Sequence, residues 1–427
     1  MNLRFYNGKI LTGGAESPFL LTEGELHVRG SRIVRIGSAA TEPEPAFWDR
    51  EIDLAGDLVI PGLKNAHTHS AMTFLRSKAD DMPLDRWLKE QVFPYEAKLT
   101  PDDVYLFSKL AIAEYLTSGI TANFDMYLMP EPAAAASAEC GFRTVFTGAV
   151  NDFTQSVQML ADWYQTLNRY DPLISFLPGF HAEYTTSYAI LKELGRLAGS
   201  LRAPMYMHNS ETAREVAGCL ARYGKTPSAL FEELGIFDYG GGGFHCVYLS
   251  EEDLEIFRRH GVYAVTCPAA NLKLASGIAP IARMLSRGIR VAVGTDGPAG
   301  NNALDLFREL YLVSVLAKHR GFDAAALDAV QVFGMATVYG ARAMGLADAD
   351  CLAVGKLADL AVISMNMPNM RPLNHPLKNL VYAGSKANVR MTVVNGKILY
   401  EDGRFLIGED IGTLYERAET AARRLLA

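Results

Sequence analysis

Eight short apolar stretches, set apart by helix-like ones, fill the middle of this 427-residue chain. In order they are LVIPGLKNAHTH, GITANFDM, RTVFTGAV, ISFLPGFH, APMYMHN, GGFHCV, VYAVTCP and RVAVGTD. Strands that are apolar from end to end are buried on both faces, as in parallel sheets covered by helices. The text between them carries helix signals. PDDVYLFSKLAIAEYLTSG follows Thr100 as N-cap and stops near Gly119, and SEEDLEIFRRHG opens on Ser250 and stops at Gly261. Eight β/α units of this length predict an α/β fold, a (β/α)8 TIM-type barrel.

The flanks have another texture. Residues 1 to about 57 read as short strands with glycine turns, in LRFYNGKILTG, ELHVRGSRIVRIG and REIDLAGDLVI. The tail reads alike in DLAVISM and VRMTVVNGKILYEDGRFL. NGKI recurs at Asn7–Ile10 and Asn395–Ile398, either as two similar hairpins or as parts of one unit. Chain ends commonly lie close together. The expected organisation is therefore a small β-sandwich domain from residues 1–57 plus 350–427, with the barrel over 58–349.

Composition excludes several partners. The chain has 48 acidic and 41 basic residues, a net charge of −7, and no Lys/Arg run. A phosphate backbone needs a basic face, so nucleic acid is not an expected partner. No apolar stretch approaches the ~20 residues that cross a bilayer, and MNLRFYNGKI lacks the apolar core of a secretory leader. The five cysteines, at 140, 219, 246, 267 and 351, form no C-x-x-C. An odd number fits no disulfide framework, and a cytoplasmic protein is expected.

A barrel places its chemistry at the C-terminal ends of its strands. His67 and His69 end the first stretch, His181 the fourth, His208 the fifth, His245 the sixth and Asp296 the eighth; five of the nine histidines fall at such ends. Residues two apart on a strand point the same way, so both imidazoles of His67-Thr-His69 can reach one ion. A lone HxH is weak, because divalent metals need three or four ligands. His208 and Asp296 complete a His/carboxylate set that suits zinc or ferrous iron better than magnesium. Glu211, in HNSE, is either a carboxylate drawn to a helix N-terminus or a proton shuttle. Asp296 is either a turn residue or a ligand; Gly297, Pro298 and Gly300 after it hold an open loop.

Together PGLKNAHTHS, HNSE, HCVYLS, CPAANLKLASG and GTDGPAGNN resemble the amidohydrolase superfamily, in its cytosine deaminase-like and chlorohydrolase-like branch. Within it the chain is most similar to the 5′-methylthioadenosine/S-adenosylhomocysteine deaminase family, a likeness that extends to ADDMPLDRWL and FPYEAKLT. The resemblance implies one divalent metal, zinc or else iron, held by His67, His69, His208 and Asp296. It implies that Glu211 works on a ring nitrogen, with His245 contacting the attacking water or substrate and Asp296 taking part in catalysis. It also implies that His181 touches substrate, that Glu96 holds ribose hydroxyls and that Trp87 walls the pocket. The implied reaction is hydrolytic deamination of a 5′-modified adenosine to an inosine analogue and ammonia, by a homo-oligomer.

One departure bears on the substrate. Family members acting on S-adenosylhomocysteine are expected to carry an arginine after the third strand for its carboxylate. Val150 to Leu160 reads VNDFTQSVQML and has none; Arg143 and Arg169 are the nearest. That favours a neutral 5′ group; Met72, Phe74 and Trp87 are either its apolar cover or barrel packing. The alternative is a related hydrolase of another heterocycle, such as guanine, a pterin, cytosine or a chlorotriazine, which would use the same metal and Glu211. A binuclear amidase would want a lysine where the fourth strand has His181, and a non-catalytic scaffold would have lost ligands that this chain keeps.

Overall fold

The computed structural model describes residues 1–14, 17–37, 47–78 and 80–427; Ala79, within ADDMPLDRWL, lies outside the described residues. The first apolar stretch is two strands, not one. Leu58–Pro61 pairs with Leu3–Thr12 and Leu360–Ile363, while Leu63–Thr68 starts the barrel. The break falls at Gly62, where a Cβ would lie 2.2 Å from the Thr121 side chain. Only glycine leaves room for that side chain.

From there the barrel runs as parallel neighbours through Ile120–Met126, Arg143–Thr147 and Ile174–Leu177, then Gly179–Ala182, Met205–Asn209, Gly241–His245, Tyr263–Thr266 and Val291–Val293. The fourth stave is split at Pro178, which has no N–H to give a ladder. Its first half pairs with the third strand and its second half with the fifth, and a bridge from Val150 to Phe180 spans the join. The last stave closes on the first: Asp296 N donates to His67 O at 3.0 Å. A Cβ on Gly294 would sit 2.6 Å from His67 N. Ala66, Phe124, Tyr206, Phe244, Val265 and Ala292 fill the lumen as one buried cluster, so the barrel is a packed core with a floor beneath its C-terminal mouth.

The ends of the chain meet in one nine-stranded sheet. The small β-sandwich takes the form of a continuous sheet curled on its own core of Leu3, Phe5, Val28, Val59, Val362 and Val393. One edge strand, Arg32–Gly37, folds onto the turn before Leu360–Ile363, with Ile33 N donating to Lys356 O at 3.0 Å. The two NGKI segments differ inside it. Asn395 and Gly396 form a tight turn with φ of 51° and 73° between Val389–Val394 and Lys397–Glu401, whereas the register shift between Phe5 and Gly8 makes the first a bulge within one strand. The tail then leaves β structure. Ile411–Leu426 is a helix whose Leu414, Ala418, Ala421 and Leu425 are buried. Lys98 Nζ donates to Leu425 O at 3.1 Å, and Arg424 pairs with Asp103 of the helix Pro101–Thr117.

Candidate active site

The strand ends converge on His67. Its imidazole is fully buried and stacks on Phe244 at 3.8 Å, the aromatic floor of the barrel. Ligand atoms fall into two sets, each within 4.8 Å: His67, His69 and Asp296, and His67, His208 and His245. Asp296 Oδ1 lies 3.3 Å from His69 Nε2 and 3.8 Å from His67 Nε2. Outer partners fix which nitrogen faces inward. His69 Nδ1 donates to Met126 O at 2.6 Å, and His208 Nδ1 donates to His181 O at 2.8 Å. A carbonyl can only accept, so the proton sits on Nδ1 and the bare Nε2 points to the centre, as metal-binding histidines are held.

The donors fit a divalent cation. Among the described residues neither ring nitrogen of His67 has a hydrogen-bond partner, although the ring is buried. Such orphaned polar atoms cost about 1–3 kcal/mol each. Burial and the surrounding histidines hold His67 well below its usual pKa, in the neutral form a metal requires. Asp296 serves two ends. Its Oδ1 accepts from Gly297 N at 2.7 Å, the local turn role, and also faces His69. Burial would raise its carboxyl, but the His69 contact and charge hold it below its usual value. Its φ of 61° and that of His245, 69°, are left-handed, a strain that recurs at functional sites.

Glu211 belongs to neither donor set among the described residues. The helix Ala213–Tyr223 is capped by Thr212, which accepts from Glu215 N. The Glu215 carboxylate takes the N–H groups of Ser210 and Glu211 at 2.9 and 2.8 Å. The helix N-terminus is thus served without Glu211. Its side chain turns into the cavity, where Oε1 accepts from Ser276 Oγ at 2.9 Å and Oε2 lies 4.0 Å from His245 Nε2. Asn271 Oδ1 accepts from His245 Nδ1 at 2.7 Å. Both Asn271 and Ser276 lie in CPAANLKLASG; that stretch served above only as family text, with no role given to either residue.

A cavity of about 680 Å3 opens over this centre, within the usual range for small-molecule sites. His69, His181, His208, Glu211, His245 and Asp296 line its base, while Met72, Trp87, Glu96 and Tyr127 line its wall. His181 Nδ1 pairs with Thr185 Oγ1 at 2.8 Å, and burial pushes its pKa down to about 4. Glu96 is buried with no partner for Oε1 among the described residues, and burial pushes its carboxyl up to about 7. Phe74 does not line the cavity; it packs on Phe107 in the core at 5.4 Å. Arg143 is also removed from it. Its guanidinium is buried against Asp359 at 2.7 Å, at the opposite end of the strand. Lys89 is the single lysine or arginine among the described lining residues, and it is exposed. Sequence reasoning missed Lys89 and Tyr127, because neither stands in a metal motif.

The profile of the amidohydrolase family matches residues 58–399. The chain belongs to the amidohydrolase family. That family is metal-dependent, and its members are hydrolases. A 5-methylthioadenosine/S-adenosylhomocysteine deaminase of Syntrophobacter fumaroxidans is 38% identical over 99% of this chain and 98% of its own length. A 5′-deoxyadenosine deaminase of Methanothermobacter thermautotrophicus is 37% identical over 98% and 99%. Among solved structures, an adenosine deaminase from Xanthomonas campestris with bound zinc superposes with a TM-score of 0.93 at 33% identity, covering 99% of this chain and 98% of that one. None of the described helices is long and apolar enough to cross a membrane.

Proposed function

We propose that this chain is a zinc-dependent hydrolytic deaminase of adenine nucleosides whose 5′ end is modified and uncharged. One observation carries the substrate reading: Glu96 is buried in the cavity that holds the histidine centre, with a carboxylate oxygen left for a ligand. A carboxylate accepts from both hydroxyls of a ribose, in charge-assisted bonds about twice as strong as neutral ones. A free base has no diol and would leave Glu96 unpaired. The names of the full-length relatives support the same class.

His67, His69, His208 and Asp296 would hold the metal, which when bound lowers the pKa of water to about 7. Zinc is supported by a set of three imidazoles and one carboxylate and by the zinc in the Xanthomonas structure. The chain's own groups move the protons. Water adds to C6 of the adenine while Glu211 protonates N1, and Asp296 accepts the proton of the attacking water. His245, whose Nδ1 proton is held by Asn271, turns its bare Nε2 to the attacking water and orients it by accepting a hydrogen bond from it. The amino group takes a proton, the C6–N bond breaks, ammonia leaves and the ring carbonyl of an inosine-type product remains. His181 contacts the substrate from the fourth stave. All five cysteines are buried and unpaired, which supports a cytoplasmic setting.

Ammonia release from adenosine, 5′-methylthioadenosine, S-adenosylhomocysteine, 5′-deoxyadenosine, guanine and cytosine tests the reading. The expected order of kcat/KM places 5′-methylthioadenosine and 5′-deoxyadenosine first. Preference for a free base would overturn it.

A further inference from the structure

Beside Glu96 stands a second polar group that the chemistry above does not use. Tyr127 follows the second barrel strand, Ile120–Met126, and lines the same cavity wall. It is 2% exposed, and its hydroxyl has no hydrogen-bond partner among the described residues. A buried hydroxyl without a partner costs about 1–3 kcal/mol, and in a cavity wall a ligand is the natural partner. The backbone beneath it is pinned. Gln155 Nε2 donates to Tyr127 O at 3.1 Å, while Gln155 Oε1 accepts from Ala149 N at 2.7 Å. The backbone is therefore fixed, and the buried hydroxyl is the part of the residue left to act.

Its neighbour decides what it can do. Glu96 and Tyr127 are close enough to alter each other's proton affinity, yet Glu96 Oε1 also lacks a partner. Burial first, then the charge of Glu96 and the approach of its carboxylate to the hydroxyl, outside hydrogen-bond geometry, push the Tyr127 phenol well above its usual range. It stays protonated at working pH and is a donor. A ribose hydroxyl has one proton to give and two lone pairs to fill. It can donate to Glu96 and accept from Tyr127 at once, which neither a free base nor a sugar lacking that hydroxyl can match.

Resting on the deaminase reading, we propose that Tyr127 is a specificity-determining residue: its hydroxyl donates to the ribose hydroxyl that Glu96 accepts from, so that the two side chains select a ribonucleoside together. The partner is an uncharged vicinal diol on a five-membered ring. Tyr127 acts in binding and leaves the steps at C6 to the residues of the centre.

The experiment crosses the enzyme variant with a substrate lacking the atom. Wild type and Tyr127→Phe are compared on 5′-deoxyadenosine and on its analogues lacking the 2′- or the 3′-hydroxyl. Binding of the deaminated 5′-deoxyinosine product is measured by calorimetry. Tyr127→Phe should raise KM on the ribonucleoside roughly tenfold, the scale of one hydrogen bond, with the loss in KM rather than kcat. Product affinity should fall by a similar factor. On the analogue that lacks the contacted hydroxyl the two enzymes should have the same KM. An equal loss on all three substrates would mark a structural role and overturn the inference, as would no loss on the ribonucleoside. A wild type that deaminates none of the three would instead remove the deaminase reading, and this inference with it.

Discussion

At the scale of single residues, the division of labour between Glu211 and the donors is the part most open to test. Glu211→Gln keeps a hydrogen-bonding side chain of the same size but cannot carry a proton. Elemental analysis should find its metal content unchanged while kcat falls roughly 10²–10⁴-fold, the usual worth of a positioned acid/base; a variant of near-normal kcat would end that assignment. Glu96 gives a pH signature. Burial raises its carboxyl from about 4.5 to about 7 in the folded chain, so the folded state holds the proton more tightly than the unfolded one. Its contribution to stability is present below the unfolded value and is lost as pH rises through the folded one. Glu96→Gln should therefore gain on wild type in Tm between pH 5 and pH 8 and then level off, read by calorimetry across that range. For the nucleoside the sign reverses: the diol wants the ionised acid, so wild-type KM should fall as pH rises through about 7, a limb missing from the variant. At the rim, Lys89→Ala should weaken S-adenosylhomocysteine more than 5′-methylthioadenosine, in a kcat/KM comparison, because Lys89 is the cation the lining offers a carboxylate. The four proposed donors, which the structure brings together, were legible because each ends an apolar stretch. Tyr127 and Lys89 were not, since a cavity wall is assembled by tertiary packing and leaves no spacing in the sequence.

At the scale of elements, the strand ends do the positioning and the turns after them decide what is free to react. Glu211 faces the cavity because Glu215 satisfies the backbone around it. The Glu215 carboxyl pays for that with burial, which pushes it up to about 8. Glu215→Ala leaves two buried N–H groups without their acceptor. It should cost about 1–3 kcal/mol or more in chemical denaturation and lower kcat by loosening Glu211, with metal content retained. Helices with strong caps could be read directly: Thr100 and Ser250 both form capping boxes, with Asp103 and Asp253. Two features escaped. The break at Gly62 hides inside an unbroken apolar run, because what forbids a side chain there is Thr121, far away in sequence. The helix Ile411–Leu426 carries its apolar positions at helical spacing, yet the strands before it drew the whole tail into the β unit.

At the scale of the whole molecule, the barrel and the terminal sheet are locked by a buried ion pair. Arg143 gives two hydrogen bonds to Asp359, which also accepts from Asn395 N at 2.7 Å. Removing one partner of a buried pair leaves a bare charge, at a cost of about 3–5 kcal/mol. Arg143→Ala should lower stability on that scale, and wild type should unfold in one transition by two spectroscopic probes, because neither unit keeps its face without the other. The sheet also fixes an order of events during synthesis. Leu58–Pro61 meets its antiparallel neighbour only when Leu360–Ile363 arrives, roughly 300 residues later. At 5–20 residues per second this strand waits about 15–60 s on the ribosome with one edge open. An open apolar edge recruits other chains, so the nascent chain is exposed to aggregation until that late strand is made.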